Sequence, residues 1–95
     1  MKAKNLKILK KLLDLNGEDA VLDKLLEECT ELGLALIQLK CPTKTDKKKR
    51  LNDVHKEIAD VKNVIRQAEM FLNRKKINKY SNAKLEKKRI KYLTK

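Results

Sequence analysis

Residues 18–40 read EDAVLDKLLEECTELGLALIQLK, and residues 51–73 read LNDVHKEIADVKNVIRQAEMFLN. In the first stretch Leu22, Leu25, Cys29, Leu32, Leu36 and Leu39 recur at intervals alternating between three and four. In the second, Leu51, Val54, Ile58, Val61, Ile65, Ala68 and Leu72 keep the same rhythm. Apolar residues at this spacing line one stripe of an α-helix, so each stretch predicts a helix with a seam of coiled-coil type. Two such seams facing each other predict an antiparallel hairpin. Val21, Leu26, Ala35, Ile37, Val64 and Phe71 lie beside the seams and widen each stripe beyond what one partner helix covers. A two-helix core of this size is marginal by area. A homodimer in which two hairpins form a four-helix bundle, or a homotetramer built from it, is the expectation.

Working outward, the breakers are few: Gly17, Gly33 and Pro42 are the only glycines and proline in 95 residues. Strands are therefore not expected and the fold class is all-α. A first helix is predicted over about Lys4 to Asp14, stopped by Asn16-Gly17, where positive φ is tolerated. The second starts near Glu18-Asp19 and runs to about Lys40 before Cys41-Pro42. The third follows a cap at Thr45 or Asp46 and runs to about Asn73. A short fourth helix is expected after Ser81 or Asn82. Residues 1–95 thus read as one domain, with core helices at about 18–40 and 46–73 and a basic segment at 74–95.

The chain carries 25 Lys and Arg against 13 Asp and Glu, a net charge of +12. This favours an anionic partner without choosing among nucleic acid, membrane surface and phosphorylated small molecule. Its distribution is more selective. Residues 1–17 carry +4, 18–40 carry −4, 41–50 carry +4, 51–73 carry −1 and 74–95 carry +9, so the two central helices hold ten of the thirteen acids. A protein that coats nucleic acid has little reason to concentrate carboxylates in this way. The longest strictly apolar run is Leu34 to Ile37, far short of the roughly 18 residues that span a bilayer, and no signal-peptide pattern opens the chain. Cys29 and Cys41 lack metal-ligand spacing and suggest no disulfide framework. No membrane role and a cytoplasmic location are the expectation.

The acids themselves are patterned. Glu28 and Glu31 are three apart in Glu27-Glu28-Cys29-Thr30-Glu31, and Glu57 and Asp60 are three apart in Glu57-Ile58-Ala59-Asp60. At about 100° per residue, with Cys29 and Ile58 as the two origins, Glu28 and Glu57 share one angle and Glu31 and Asp60 share another. When the seams pack, four carboxylates converge on one flank and repel one another unless a cation sits among them. Hard oxygen donors in that number suit Mg²⁺ or Mn²⁺. The plainer reading is a solvated, salt-bridged helix face, with Lys24, Lys56 and Lys62 as neutralising partners.

Glu27-Glu28-x-x-Glu31 followed, after residues 32–56, by Glu57-x-x-Asp60 resembles the EExxE…ExxD signature of the MazG-like, all-α nucleoside triphosphate pyrophosphohydrolases. The flanking residues Leu25-Leu26, Cys29-Thr30 and Leu32, and Ile58-Ala59 and Val61, agree with it, and the resemblance covers about residues 18–73. It implies Mg²⁺-dependent hydrolysis of a nucleoside triphosphate between the α and β phosphates, giving a monophosphate and pyrophosphate. It also implies metal ligation by Glu28, Glu31, Glu57 and Asp60, with Glu27 as a further ligand or a base orienting water. The tail Asn82-Ala83-Lys84-Leu85-Glu86-Lys87-Lys88 is similar to a basic segment of many such proteins that holds the triphosphate, which carries over to Asn82, Lys84 and Lys88, with Lys79 as a further phosphate ligand. Phosphoribosyl-ATP pyrophosphohydrolase and dUTP- or dCTP-directed enzymes share this type of motif. The alternatives are a small basic helical module binding nucleic acid or an acidic protein, and a catalytically silent nucleotide sensor.

The remaining candidates read as structural. His55 falls on the far side of the seam from the acids and reads as a flanking or surface residue. Cys29 reads as a small core residue. Tyr80, Tyr92 and Phe71 are the only aromatics, with base stacking by Tyr80 as the functional option and packing as the other. Lys47-Lys48-Lys49-Arg50 opens a helix where cations are unfavourable and is expected to be solvated.

Overall fold

A computed structural model describes residues 1–41 and 46–94. Four helices follow in order: α1 Ala3–Asn16, α2 Glu18–Lys40, α3 Lys47–Ala68 and α4 Arg74–Leu93, with no strand among the described residues. Gly17 separates α1 from α2 by itself. Its φ of 88° is the only positive value among the described residues, and its N–H donates to the Leu13 carbonyl at 2.8 Å. Any side chain there would be strained, so the sharp turn depends on glycine.

At the start of α3 the Asp46 carboxylate accepts from the Lys48 and Lys49 backbone N–H groups, which identifies Asp46 as the cap. Thr45, the other candidate, and Pro42, the expected breaker, lie outside the described residues. The far end of α3 departs from expectation. The helix stops at Ala68, not Asn73, and residues 69–72 turn so that Met70 and Phe71 pack onto the core. Asn73 instead caps α4, its Oδ1 accepting from Lys76 N at 3.0 Å. The fourth helix therefore begins eight residues before Asn82 and is 20 residues long rather than short. An Asn followed by a run of strong helix formers carried that signal.

α2 and α3 run antiparallel. Gln38 meets Arg50 near the connection, Glu28 meets Glu57 and Asp60 midway, and Val21 clusters with Val64 and Ala68 at the other end. The contact line is not the predicted one. In α2 the buried and half-buried residues are Val21, Leu25, Glu28, Leu32, Gly33, Ala35, Gln38 and Leu39; in α3 they include Val54, Glu57, Val61, Val64 and Ala68. Leu25, Leu32, Leu39, Val54, Val61 and Ala68 belong to both registers. The other predicted members, Leu22, Cys29, Leu36, Leu51, Ile58, Ile65 and Leu72, are exposed. Two physical reasons favour the observed register. Val21, Ala35, Val64 and Ala68 are small and allow close helix approach, and α1 covers that side by inserting Leu13 against Val21, Val64 and Ala68.

The displaced leucines and isoleucines lie about 100° around each helix from Glu28 and Glu57, on the flank opposite Glu31 and Asp60. The chain exposes 8111 Å², whereas a compact monomer of 11.1 kDa exposes about 5,700 Å². α4 accounts for part of this excess, because it packs against none of the other helices and all its described side chains are exposed. No helix among the described residues is long and apolar enough to cross a membrane.

One polar contact fixes α1. Gln67, buried in α3, donates from Nε2 to the Leu9 carbonyl at 2.9 Å. Gln67→Ala removes this bond between helices, while the Leu9 carbonyl keeps its Leu13 N–H partner within α1, and is expected to cost about 1 kcal/mol, whereas Lys62→Ala on the exposed face of α3 should stay within about 0.5 kcal/mol. Denaturant melts of the two variants check this; equal midpoints would mean that α1 is not held by this bond.

Candidate metal centre

Glu28 sits in the middle of the α2 seam between Leu25 and Leu32, and Glu57 sits opposite between Val54 and Val61. Glu28 is 5 % exposed and Glu57 is half-buried. Glu28, Glu57 and Asp60 each place one carboxylate oxygen within 4.8 Å of the others, and Glu27, Glu28 and Glu31 form a second group of the same dimensions. Glu28 belongs to both. The five motif acids are thus drawn together by two helices, with one carboxylate at the junction.

Burial makes this unlike a solvated acidic face. Glu28 Oε2 and Glu57 Oε2 are both out of contact with water and neither has a hydrogen-bond partner. Removing carboxylate oxygens from water without compensation costs several kcal/mol, so two such atoms side by side demand a counter-charge. Lys24 supplies part of it, with Nζ 3.1 Å from Glu28 Oε1 and 3.4 Å from Glu27 Oε1. Its own pKa is raised, first by the hydrogen bond to Glu28 and then by Glu27. Among the described residues no ion pair reaches Glu31, Glu57 or Asp60, and Lys56 and Lys62, the other expected neutralising partners, form none. The Glu31 carboxyl is held above its ordinary value, chiefly by the negative charge of Glu28, then by desolvation and by Glu57 and Glu27. Repulsion therefore exceeds what Lys24 relieves.

Asp53 extends the acidic track. It lies four residues before Glu57 and lines the same shallow cavity as Glu31, Lys56 and Glu57, of about 220 Å³. Only its i,i+4 relation to Glu57 could have marked it in the sequence. A nucleotide-sized site occupies about 300–1,000 Å³, so one copy of the chain does not enclose such a ligand here. A larger depression of about 720 Å³ lies near His55, Arg66 and Arg74 and is lined by none of the motif acids.

Lys79, Asn82, Lys84 and Lys88 are all on α4, away from this centre. Because α4 touches neither α2 nor α3, a single copy does not bring these four residues to the carboxylates. Cys29 is exposed on the apolar flank rather than in the core, and His55 is exposed. Comparison of the chain with protein-family models, with curated proteins and with solved structures returned no match.

Two outcomes follow from the repulsion. In EDTA, Glu57→Gln should raise the thermal midpoint by ~4–8 °C, corresponding to ~1 kcal/mol, while millimolar Mg²⁺ should raise the midpoint of the wild type and not of the variant. A variant that melts below the wild type in EDTA would contradict the charge argument. Glu31 sets a pH dependence of definite sign. Its folded-state pKa lies above the ordinary 4.5, so the stability it contributes is full below that value and is lost as pH rises through the raised one. Metal-free melts across this range should lose stability with rising pH more steeply for wild type than for Glu31→Gln.

Proposed function

We propose that the chain is a Mg²⁺-dependent nucleoside triphosphate pyrophosphohydrolase of the MazG-like type, releasing pyrophosphate and leaving a nucleoside monophosphate. The observation that carries the reading is the pair of buried, unpartnered carboxylate oxygens on Glu28 and Glu57 at the centre of the motif acids. Glu28, Glu31, Glu57 and Asp60 would hold Mg²⁺, or Mn²⁺ in its place; all are hard oxygen donors drawn from two helices, as that chemistry requires. The ion, when bound, supplies charge neutralisation for the phosphates and a water of lowered pKa.

The protein's own groups have distinct tasks. Glu27 is exposed beside Glu28 and Glu31, where its carboxylate can accept a proton from water at the edge of the cluster. Lys24 keeps Glu27 and Glu28 in place through its two contacts. The rigid α2–α3 seam fixes the acids before substrate arrives, so little reorganisation is needed during reaction. Lys79, Asn82, Lys84 and Lys88 would contact the triphosphate from another copy of the chain, since α4 extends about 30 Å and has no berth on its own hairpin. A homodimer or homotetramer closing over the exposed Leu22, Leu36, Leu51, Ile58, Ile65 and Leu72 would also cover the apolar flank.

Incubation with each common NTP and dNTP in Mg²⁺, followed by pyrophosphate measurement, tests the proposal. One or more substrates should be cleaved, and Glu57→Gln and Asp60→Asn should each lower the rate by more than about 100-fold with far-UV circular dichroism unchanged. Absence of pyrophosphate from every substrate, including modified nucleotides, would rule the activity out.

A further inference from the structure

α4 carries nine Lys and Arg against one acid, Glu86, over Arg74–Leu93. At about 100° per residue these cations surround the helix instead of sharing a face. Lys75 with Lys79, Lys76 with Lys79, Lys84 with Lys87 and Lys88, and Lys91 with Lys87 and Lys88 are like charges three or four apart, which oppose helix formation. The offsetting ion pairs are Glu86 with Arg89 and, at the helix start, Arg74 with Glu69. No tertiary packing compensates, since α4 lies against none of the other helices. Its cap and its helix-forming residues work against this repulsion without help from packing, and the helix is stabilised when its charges are neutralised.

The partner's chemistry follows from the arrangement. A triphosphate is compact and carries about four charges at neutral pH, so it occupies a minority of nine cations distributed along about 30 Å of helix. An extended polyanion matches both their number and their spread. The apolar residues argue against a lipid surface: Ile77, Leu85, Ile90 and Leu93 point in different directions around the axis and form no stripe to bury in a bilayer. Tyr80 and Tyr92 stand exposed among the cations, with Lys91 Nζ 5.2 Å from the Tyr92 ring centroid, and offer aromatic faces to unpaired bases. We infer that α4 is a binding arm for single-stranded nucleic acid, reading its phosphate backbone by charge and its bases by stacking, independently of the carboxylate centre. The concentration of acids that argues against nucleic-acid binding belongs to α2 and α3, from which α4 stands apart.

Fluorescence anisotropy of the full chain with labelled oligonucleotides of about 16 nucleotides, in EDTA and from about 50 to 200 mM salt, tests the inference. The single strand should bind with a steep salt dependence, more tightly than a duplex of the same length, and should increase helicity by circular dichroism. The variant combining Lys75→Gln, Lys76→Gln, Lys87→Gln and Lys91→Gln should lose at least tenfold in affinity and reduce the slope of log K against log salt by about 3. Its metal-free spectrum should remain as helical as wild type, because these side chains support no packing and their repulsion is removed. Unchanged affinity in the variant, salt-independent binding or a preference for duplex would overturn the inference. So would sedimentation with phosphatidylserine vesicles that the oligonucleotide does not compete away, which would assign the arm to membranes.

Discussion

The contact between Glu28 and Glu57 across the α2–α3 seam governs how the rest of the chain is arranged. Both residues occupy positions where a hydrophobic side chain would ordinarily sit, flanked by Leu25, Leu32, Val54 and Val61. Facing carboxylates at that depth weaken the hairpin unless a cation compensates, and Lys24 reaches only one of the two. The sequence offers an alternative register that would put Cys29 and Ile58 inward and the acids out. The structure adopts the register that turns Glu28 and Glu57 inward. Part of the compensation is steric, because the chosen register brings Val21, Ala35, Val64 and Ala68 to the contact line and lets α1 seal one end with Leu13.

This choice has two further consequences. Leu22, Leu36, Leu51, Ile58 and Ile65, large apolar side chains that could have formed a conventional core, are left on an open flank. Glu31 and Asp60 meanwhile face the other flank, and α1 is tied to α3 by the Gln67 bond to the Leu9 carbonyl. A monomer so arranged has a small core, a candidate cation site and an apolar surface, each pointing in its own direction. Buried polar atoms without partners are rare in native proteins and are expected where a ligand belongs.

Charge is segregated in space as it is along the chain. Glu27, Glu28, Glu31, Glu57 and Asp60 gather midway along the hairpin, while the excess of cations in 74–95 is held away from them on a helix that packs against no other helix. The net +12 therefore describes two surfaces of opposite character rather than a uniformly basic protein. Attraction between the cations of α4 and the carboxylates would be the simple electrostatic outcome in one copy, yet the turn at residues 69–73 directs α4 elsewhere.

Helix identity was legible in the sequence because it rests on local chemistry. Gly17 must adopt positive φ, Asp46 can cap a neighbouring N–H, and a spacing of three and four has no other regular interpretation. The acid pairs were legible for the same reason, since residues three apart on a helix are neighbours whatever surrounds them. Register was not. Two seams about 50° apart share Leu25, Leu32, Leu39, Val54, Val61 and Ala68, and apolar periodicity cannot choose between them. That decision rests on how closely two backbones approach and on where α1 docks, which are properties of three helices together. It moved Glu28 from flank to core and Cys29 from core to surface, and so only the tertiary structure turned a patterned acidic face into a buried, undercompensated cluster.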